Sequence, residues 1–266
     1  MTVTISQKEL WLPTSNGQVY IRTWVHDAKS RQHATPIVLF HDSLGCVELW
    51  RDFPAQLAAS TGRDVIAYDR RGYGLSSPYP EDLTVDFIRE EAQFFATLRD
   101  HLGIETFIAF GHSVGGAMAM NCAAMFPEQC LAVVSVSAQA FVEERTLLGI
   151  KNAKLQFGQP RQFERLEKYH GEKSQWVLNA WTQTWLSESF ADWTIERGLG
   201  PIQCPLLVIH GVEDEYGSAA HPERIAKLTV KQSEILMLSD CHHVPHRETP
   251  EAVVAATQRF ISSLRR

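Results

Sequence analysis

The chain has 266 residues, 44% hydrophobic and 21% charged, with a formal net charge of −6. That is enough for one large α/β domain burying about 70–75% of its extended surface, and it argues against a second full domain. The charge is spread without basic runs or aromatic residues interleaved with Lys and Arg, which argues against nucleic acid and for a small-molecule partner.

No apolar run approaches the ~20 residues that a membrane span needs. The first six residues lack a basic stretch followed by an apolar one, so the expected location is cytoplasmic, as a monomer or homodimer. The cysteines, Cys46, Cys122, Cys130, Cys204 and Cys241, are odd in number and include no CxxC pair. Neither a disulfide framework nor a thiolate metal site is expected.

Residues 8–13 and 19–24 read as strands around Ser15-Asn16-Gly17, a hairpin signal. From Pro36 onward, continuous Val/Ile/Leu runs at 37–40, 65–68, 107–110, 133–136, 206–209 and 235–238 predict parallel strands buried on both faces. Helical patterns at 49–59, 85–102, 116–125, 222–227 and 250–264 lie between and after them. The alternation implies right-handed crossovers. The expected fold is therefore α/β, a mostly parallel, doubly wound sheet of about eight strands flanked by helices. The pattern breaks at 141–200, where a helical stretch rich in aromatics predicts a cap inserted after the sixth strand; 1–140 and 201–266 form the core.

The strand at 107–110 runs into Gly111-His112-Ser113-Val114-Gly115 and then a helix, which predicts a nucleophile elbow. The bland alternative is that Ser113 merely caps the helix. A serine hydroxyl needs a histidine base, and that base needs a carboxylate to fix its tautomer. Two later segments leave the carboxyl ends of predicted strands, where open α/β sheets place ligands. They are His210-Gly211-Val212-Glu213-Asp214-Glu215-Tyr216 and Ser239-Asp240-Cys241-His242-His243-Val244-Pro245-His246. On spacing alone Glu213, Asp214 and Glu215 compete as the acid, and His242, His243 and His246 compete as the base. A helical His-x-x-His metal pair is disfavoured by Pro245. An oxyanion hole would draw on the N–H of Val114 and an N–H from His41-Asp42-Ser43-Leu44-Gly45, with Ser43 the expected donor. That loop also reads simply as a turn capped by Asp42 or Ser43.

Together these segments resemble the α/β-hydrolase superfamily over nearly the whole chain: His41-Asp42 after the third strand, Asp69-Arg70-Arg71-Gly72-Tyr73-Gly74-Leu75-Ser76 after the fourth, and the elbow after the fifth. The resemblance selects Asp214, three residues after Gly211, as the acid, and His243, followed by Val244-Pro245, as the base. It also implies a structural role for His41. Where most members carry Gly after the loop histidine, this chain has Asp42. A carboxylate so close to an oxyanion hole must turn away or be neutralised, with Arg70, Arg71 or Arg247 as candidates.

Ser at the elbow disfavours haloalkane dehalogenases and epoxide hydrolases, which use Asp there. What the resemblance implies is a serine hydrolase acting through an acyl-enzyme on a small, apolar or aromatic ester-type substrate, with no metal or organic cofactor. The alternatives are a cofactor-independent dioxygenase, a C–C hydrolase, or a hydrolase-like protein that only binds a small ligand. The expected pocket draws on Asp42, His112, Trp181, Trp185 and Tyr216, with Glu215 beside them; Cys46 and Cys241 lie beside these motifs but read first as buried small hydrophobes, a role at the site edge being the disfavoured alternative.

Overall fold

The computed structural model describes residues 4–26 and 34–264. Met1, Thr2 and Val3, part of the stretch read for a leader, lie outside the described residues. Strands β1 (Ile5–Thr14) and β2 (Gly17–His26) form the hairpin, followed by β3 (Ile37–Phe40), α1 (Phe53–Thr61), β4 (Val65–Tyr68) and α2 (Phe87–Leu102). Next come β5 (Phe107–His112), α3 (Val114–Met125), β6 (Cys130–Val136), α4 (Glu144–Phe157), α5 (Pro160–His170) and α6 (Ser174–Trp185). The chain closes with β7 (Leu206–Gly211), α7 (Ala220–Ile225), β8 (Ser233–Leu238), α8 (Pro245–Glu248) and α9 (Pro250–Ser263).

The eight strands form one sheet in the order β1-β2-β4-β3-β5-β6-β7-β8. Pairing is antiparallel from β1 to β2 and from β2 to β4, and parallel from β4 through β8. Strands β3 and β4 are apolar and buried at every position because both faces are covered. In β3, Val38 and Phe40 pack with Phe95 of α2 and Met118 of α3, while Ile37 and Leu39 pack with Leu57 of α1 and Phe260 of α9.

Some boundaries differ from the sequence pattern. The predicted helix 49–59 splits into a 3-10 turn, Val47–Trp50, and α1. Arg51 takes φ 53° between them, and Pro54, which lacks an N–H, sits at the start of α1. The run at 235–238 was expected to be buried on both faces, yet β8 is the sheet edge, with Ile235 44% and Met237 38% exposed. Helix α3 starts directly after Ser113, two residues earlier than the pattern at 116.

Helices α4 to α6 fill the interval between β6 and β7. They have a small core of their own, in which Leu166, Val177 and Leu178 pack on Tyr73 of the β4–α2 loop. His170 ties this insertion to the sheet: Nδ1 accepts from the Gly74 N–H at 2.9 Å and Nε2 donates to the Leu44 carbonyl at 3.0 Å. Burial pushes the His170 imidazole down to about 4, so it holds these bonds as a neutral ring.

Candidate active site

Strand β5 ends in the elbow. Ser113 takes φ 55° and ψ −127°, a backbone region that non-glycine residues occupy only when the surroundings enforce it. The enforcement is visible on three sides. The Ser113 N–H donates to the Val136 carbonyl at the end of β6 at 2.8 Å. A Cβ on Gly111 would lie 2.0 Å from the Gly115 carbonyl oxygen, and one on Gly115 would lie 2.1 Å from the Phe40 carbonyl oxygen. Only glycines let helix, strand and serine meet this closely.

The loops after β7 and β8 come to the same edge. A Cβ on Gly211 would lie 2.2 Å from the His242 carbonyl oxygen, so glycine there brings the two loops together. Across this junction, Nδ1 of His243 lies 2.9 Å from both carboxylate oxygens of Asp214, and Nε2 of His243 lies 3.0 Å from Oγ of Ser113. The ionised Asp214 beside Nδ1 assigns the ring proton to that nitrogen, leaving Nε2 to accept the serine hydroxyl proton. Asp214 also accepts the N–H groups of Tyr216 at 2.8 Å and Gly217 at 3.2 Å.

Burial would raise the Asp214 pKa, but the charge and hydrogen bond of His243, with His210 and the Tyr216 N–H, bring it down to about 2. Burial likewise opposes protonation of His243, and Asp214 reverses this, so its pKa stands above the ordinary histidine value. The competing side chains go elsewhere. His242 points outward with Nδ1 3.1 Å from the Glu213 carbonyl, and His246 is buried against Trp50 and Phe53.

The loop after β3 and the first residue of α3 carry the two residues expected for the oxyanion hole. Ser43 lines the same cavity as Ser113, and Val114 opens α3. Among the described residues, neither N–H donates to an acceptor. His41 sits behind them: its Nδ1 donates to the Asp42 carbonyl at 2.8 Å, and its Nε2 accepts the Arg70 N–H at 3.1 Å.

Asp42 is not neutralised by arginine. Arg70 reaches only its backbone carbonyl, at 2.9 Å. The carboxylate faces His112 instead, with Oδ2 3.3 Å from Nδ1, while Oδ1 accepts the Leu44 N–H at 2.9 Å. Partial burial works against the charge, but His112, His41 and the Leu44 N–H hold the Asp42 carboxyl well below the usual carboxylate range. Nε2 of His112 donates to the His243 carbonyl at 2.8 Å, so this pair braces the base loop.

A cavity of about 290 Å³ opens over Ser113 and His243. The insertion supplies Ile150, Phe157, Trp181 and Trp185 to its wall, and the core adds Leu44, Trp50 and Tyr216. Asp42, His112, Trp181, Trp185 and Tyr216 therefore all reach the cavity, as do Glu215 and Cys46; Cys241 does not line it. Helix α4 also steadies the acid loop, since Thr146 donates to the Tyr216 carbonyl at 2.6 Å. Sequence reasoning passed over Gln139, which is 4% exposed with Oε1 3.4 Å from the Ser113 hydroxyl. Its signal was position, just past the carboxyl end of β6 where the other site loops also emerge. Among the described residues, no group of three or more His, Cys, Asp or Glu is placed to hold a metal ion, and no helix is long and apolar enough to cross a membrane.

Comparison with known proteins gives a family match: the family described as alpha/beta hydrolase fold covers residues 35–174. The chain is similar to serine hydrolase BPHL of Mus musculus, 28% identical over 206 residues that span 73% of this chain and 69% of that protein. The Homo sapiens BPHL is 28% identical over 191 residues, spanning 68% of this chain and 64% of the relative. Among solved structures, carboxylesterase CesB from Bacillus subtilis superposes with a TM-score of 0.72 at 19% identity, covering 97% of this chain and 92% of that one. At that identity the likeness speaks to the fold alone.

Proposed function

The chain belongs to the α/β-hydrolase fold family, and from that premise we propose that it is a serine hydrolase cleaving a small, largely apolar or aromatic ester-type substrate. The observation that carries this reading is the unbroken relay in which Asp214 holds Nδ1 of His243 and Nε2 faces the Ser113 hydroxyl at 3.0 Å. The similarity to two proteins named serine hydrolases supports it.

In this reading His243 takes the proton of Ser113 as its oxygen attacks the substrate carbonyl, and Asp214 stabilises the imidazolium. The oxyanion is held by the N–H groups of Ser43 and Val114. Collapse expels the alcohol, protonated by His243, and leaves an acyl group on Ser113. A water deprotonated by His243 then attacks the acyl carbonyl and releases the acid. The chemistry is complete with these side chains and water.

Helices α4 to α6 act as a cap whose Trp181, Trp185 and Phe157 select apolar acyl or alcohol groups, an assignment supported by their place on the cavity wall. The bonds through His170 make this cap a fixed wall rather than a free flap.

The test is hydrolysis of p-nitrophenyl esters of increasing acyl length by wild type and Ser113→Ala, with intact mass after brief fluorophosphonate exposure. Turnover by wild type, its loss by about 10,000-fold or more in the variant, and an adduct on Ser113 are the expected results. Activity that survives Ser113→Ala would move the chain to dioxygenation. Neither turnover nor adduct would make it a binding protein.

A further inference from the structure

A second cavity, of about 550 Å³, adjoins the first and shares Leu44, Leu49, Phe157 and Arg247 with it. Four exposed cations stand on its wall beside Gln162, Leu166 and Tyr169. Arg51 comes from the turn before α1, Arg165 and Lys168 from α5, and Arg247 from α8. No carboxylate lines this cavity, in a chain whose net charge is −6.

These charges are largely unspent. Among the described residues, the guanidinium groups of Arg51 and Arg247 form no ion pair and no hydrogen bond. Arg165 has only a neutral partner, Gln162 at 3.3 Å, and Lys168 lies 5.5 Å over its neighbour Tyr169. Burial and the repulsion of Arg51 lower the Arg247 pKa, and the more weakly felt charges of Asp42 and Glu248 offset this only in part. Placing like charges together costs stability, and an anion bound between them relieves that cost.

Arg51 adds an independent observation. It takes φ 53° and ψ −127°, within a few degrees of the φ 55° and ψ −127° of Ser113. Among the described non-glycine residues, positive φ occurs at Arg51, Ser113, Ser137 and Asp240, and so at an arginine of the adjoining cavity as well as at the nucleophile. Strain held at a non-glycine residue is a mark of a functional position. On the catalytic side, Trp50 and Trp185, each 3% exposed, line the first cavity, and their indole N–H groups are buried with no partner among the described residues.

We infer that the two cavities form one binding site for an anionic ester, whose acyl or alcohol arm runs past Leu44, Leu49 and Phe157 and ends in a carboxylate between Arg51 and Arg247, with Arg165 and Lys168 flanking it. This rests on the serine-hydrolase reading above and narrows its substrate class from apolar esters to esters bearing a remote carboxylate. The apolar walls bind the methylene or aryl spacer, and the cations fix its register against Ser113.

The test compares p-nitrophenyl hydrogen adipate and suberate with their uncharged methyl esters. In wild type the anionic substrate has the higher kcat/KM at low salt, and the advantage shrinks as ionic strength rises. In Arg51→Gln and in Arg247→Gln the anionic-to-neutral ratio falls about tenfold, whereas Arg51→Lys keeps most of it. Because the readout is a ratio within each protein, a partly misfolded variant does not imitate the result. A wild-type ratio at or below one, or a ratio unmoved in both glutamine variants, overturns the inference. If no ester turns over, the hydrolase reading has failed, and calorimetric binding of monomethyl against dimethyl adipate to Ser113→Ala decides the site by itself. Preference for the monoester, lost in Arg51→Gln, supports the anion site, and equal binding overturns it.

Discussion

His243 and His112 each stand beside a carboxylate on the wall of one cavity, yet their surroundings differ. Asp214 is buried to 0% side-chain exposure and meets its imidazole with both oxygens at 2.9 Å, whereas Asp42 is 32% exposed and meets His112 with one oxygen at 3.3 Å. The free ring nitrogen of His243 faces a hydroxyl, and that of His112 donates to a backbone carbonyl. In the proposed mechanism, what separates the reactive pair from a bracing pair is thus the group on the far nitrogen. Proximity of histidine to carboxylate does not decide it.

The comparison breaks most sharply at the acids. Asp214→Asn should keep the fold and lower turnover by about 10,000-fold, because an amide favours the wrong imidazole tautomer. Asp42→Asn should change turnover by roughly tenfold or less, since its carboxylate steers a loop without touching the relay. Equal losses in ester-hydrolysis assays of the two variants would erase the distinction drawn here.

The pH profile sharpens it further. His243 works as a base only when neutral, and its pKa is raised, so kcat/KM should climb through an acid limb set above the ordinary histidine value of about 6.5 and then level off. Asp42 and Glu215 contribute to that raised value. Asp42→Asn therefore moves the limb to lower pH. An unmoved limb would mean that the Asp42 charge does not reach the base.

The smallest expected effects lie at neighbours excluded by geometry. Glu213→Gln should leave ester turnover within about twofold of wild type, because only its backbone carbonyl enters the His242 contact. A loss comparable to that of Asp214→Asn would reassign the acid.

Much of this was legible in the residues, and the reason is local. Continuous apolar runs announce buried parallel strands, and Gly111, Gly115 and Gly211 mark close approaches that hold for any sequence adopting this turn and this loop junction. The choice of His243 over His242 and His246 was different in kind. Spacing left all three open, and family resemblance chose. The structure then shows why the others go elsewhere: the shared carboxylate of Glu248 receives the N–H groups of His242 and Val244, both at 2.8 Å, fixing the loop so that His243 turns inward. The role of Asp42 was not legible, because its partner His112 is 70 residues away and the arginines nearby looked equally suitable. The edge position of β8 was hidden for a similar reason, since strand order is a tertiary property that an apolar run does not encode.

Two segments of chain with separate constraints meet at the cavity. The relay hangs from the sheet and tolerates no added Cβ at its glycines, while α4 to α6 contribute wall residues from a unit with its own small core. Replacement of Ile150, Phe157, Trp181 or Trp185 in that wall removes no hydrogen bond to the relay, whereas Thr146 is tied to the acid loop. Descendants of this chain can therefore diversify their diet by redecorating one stretch of sequence, with the reaction itself inherited intact.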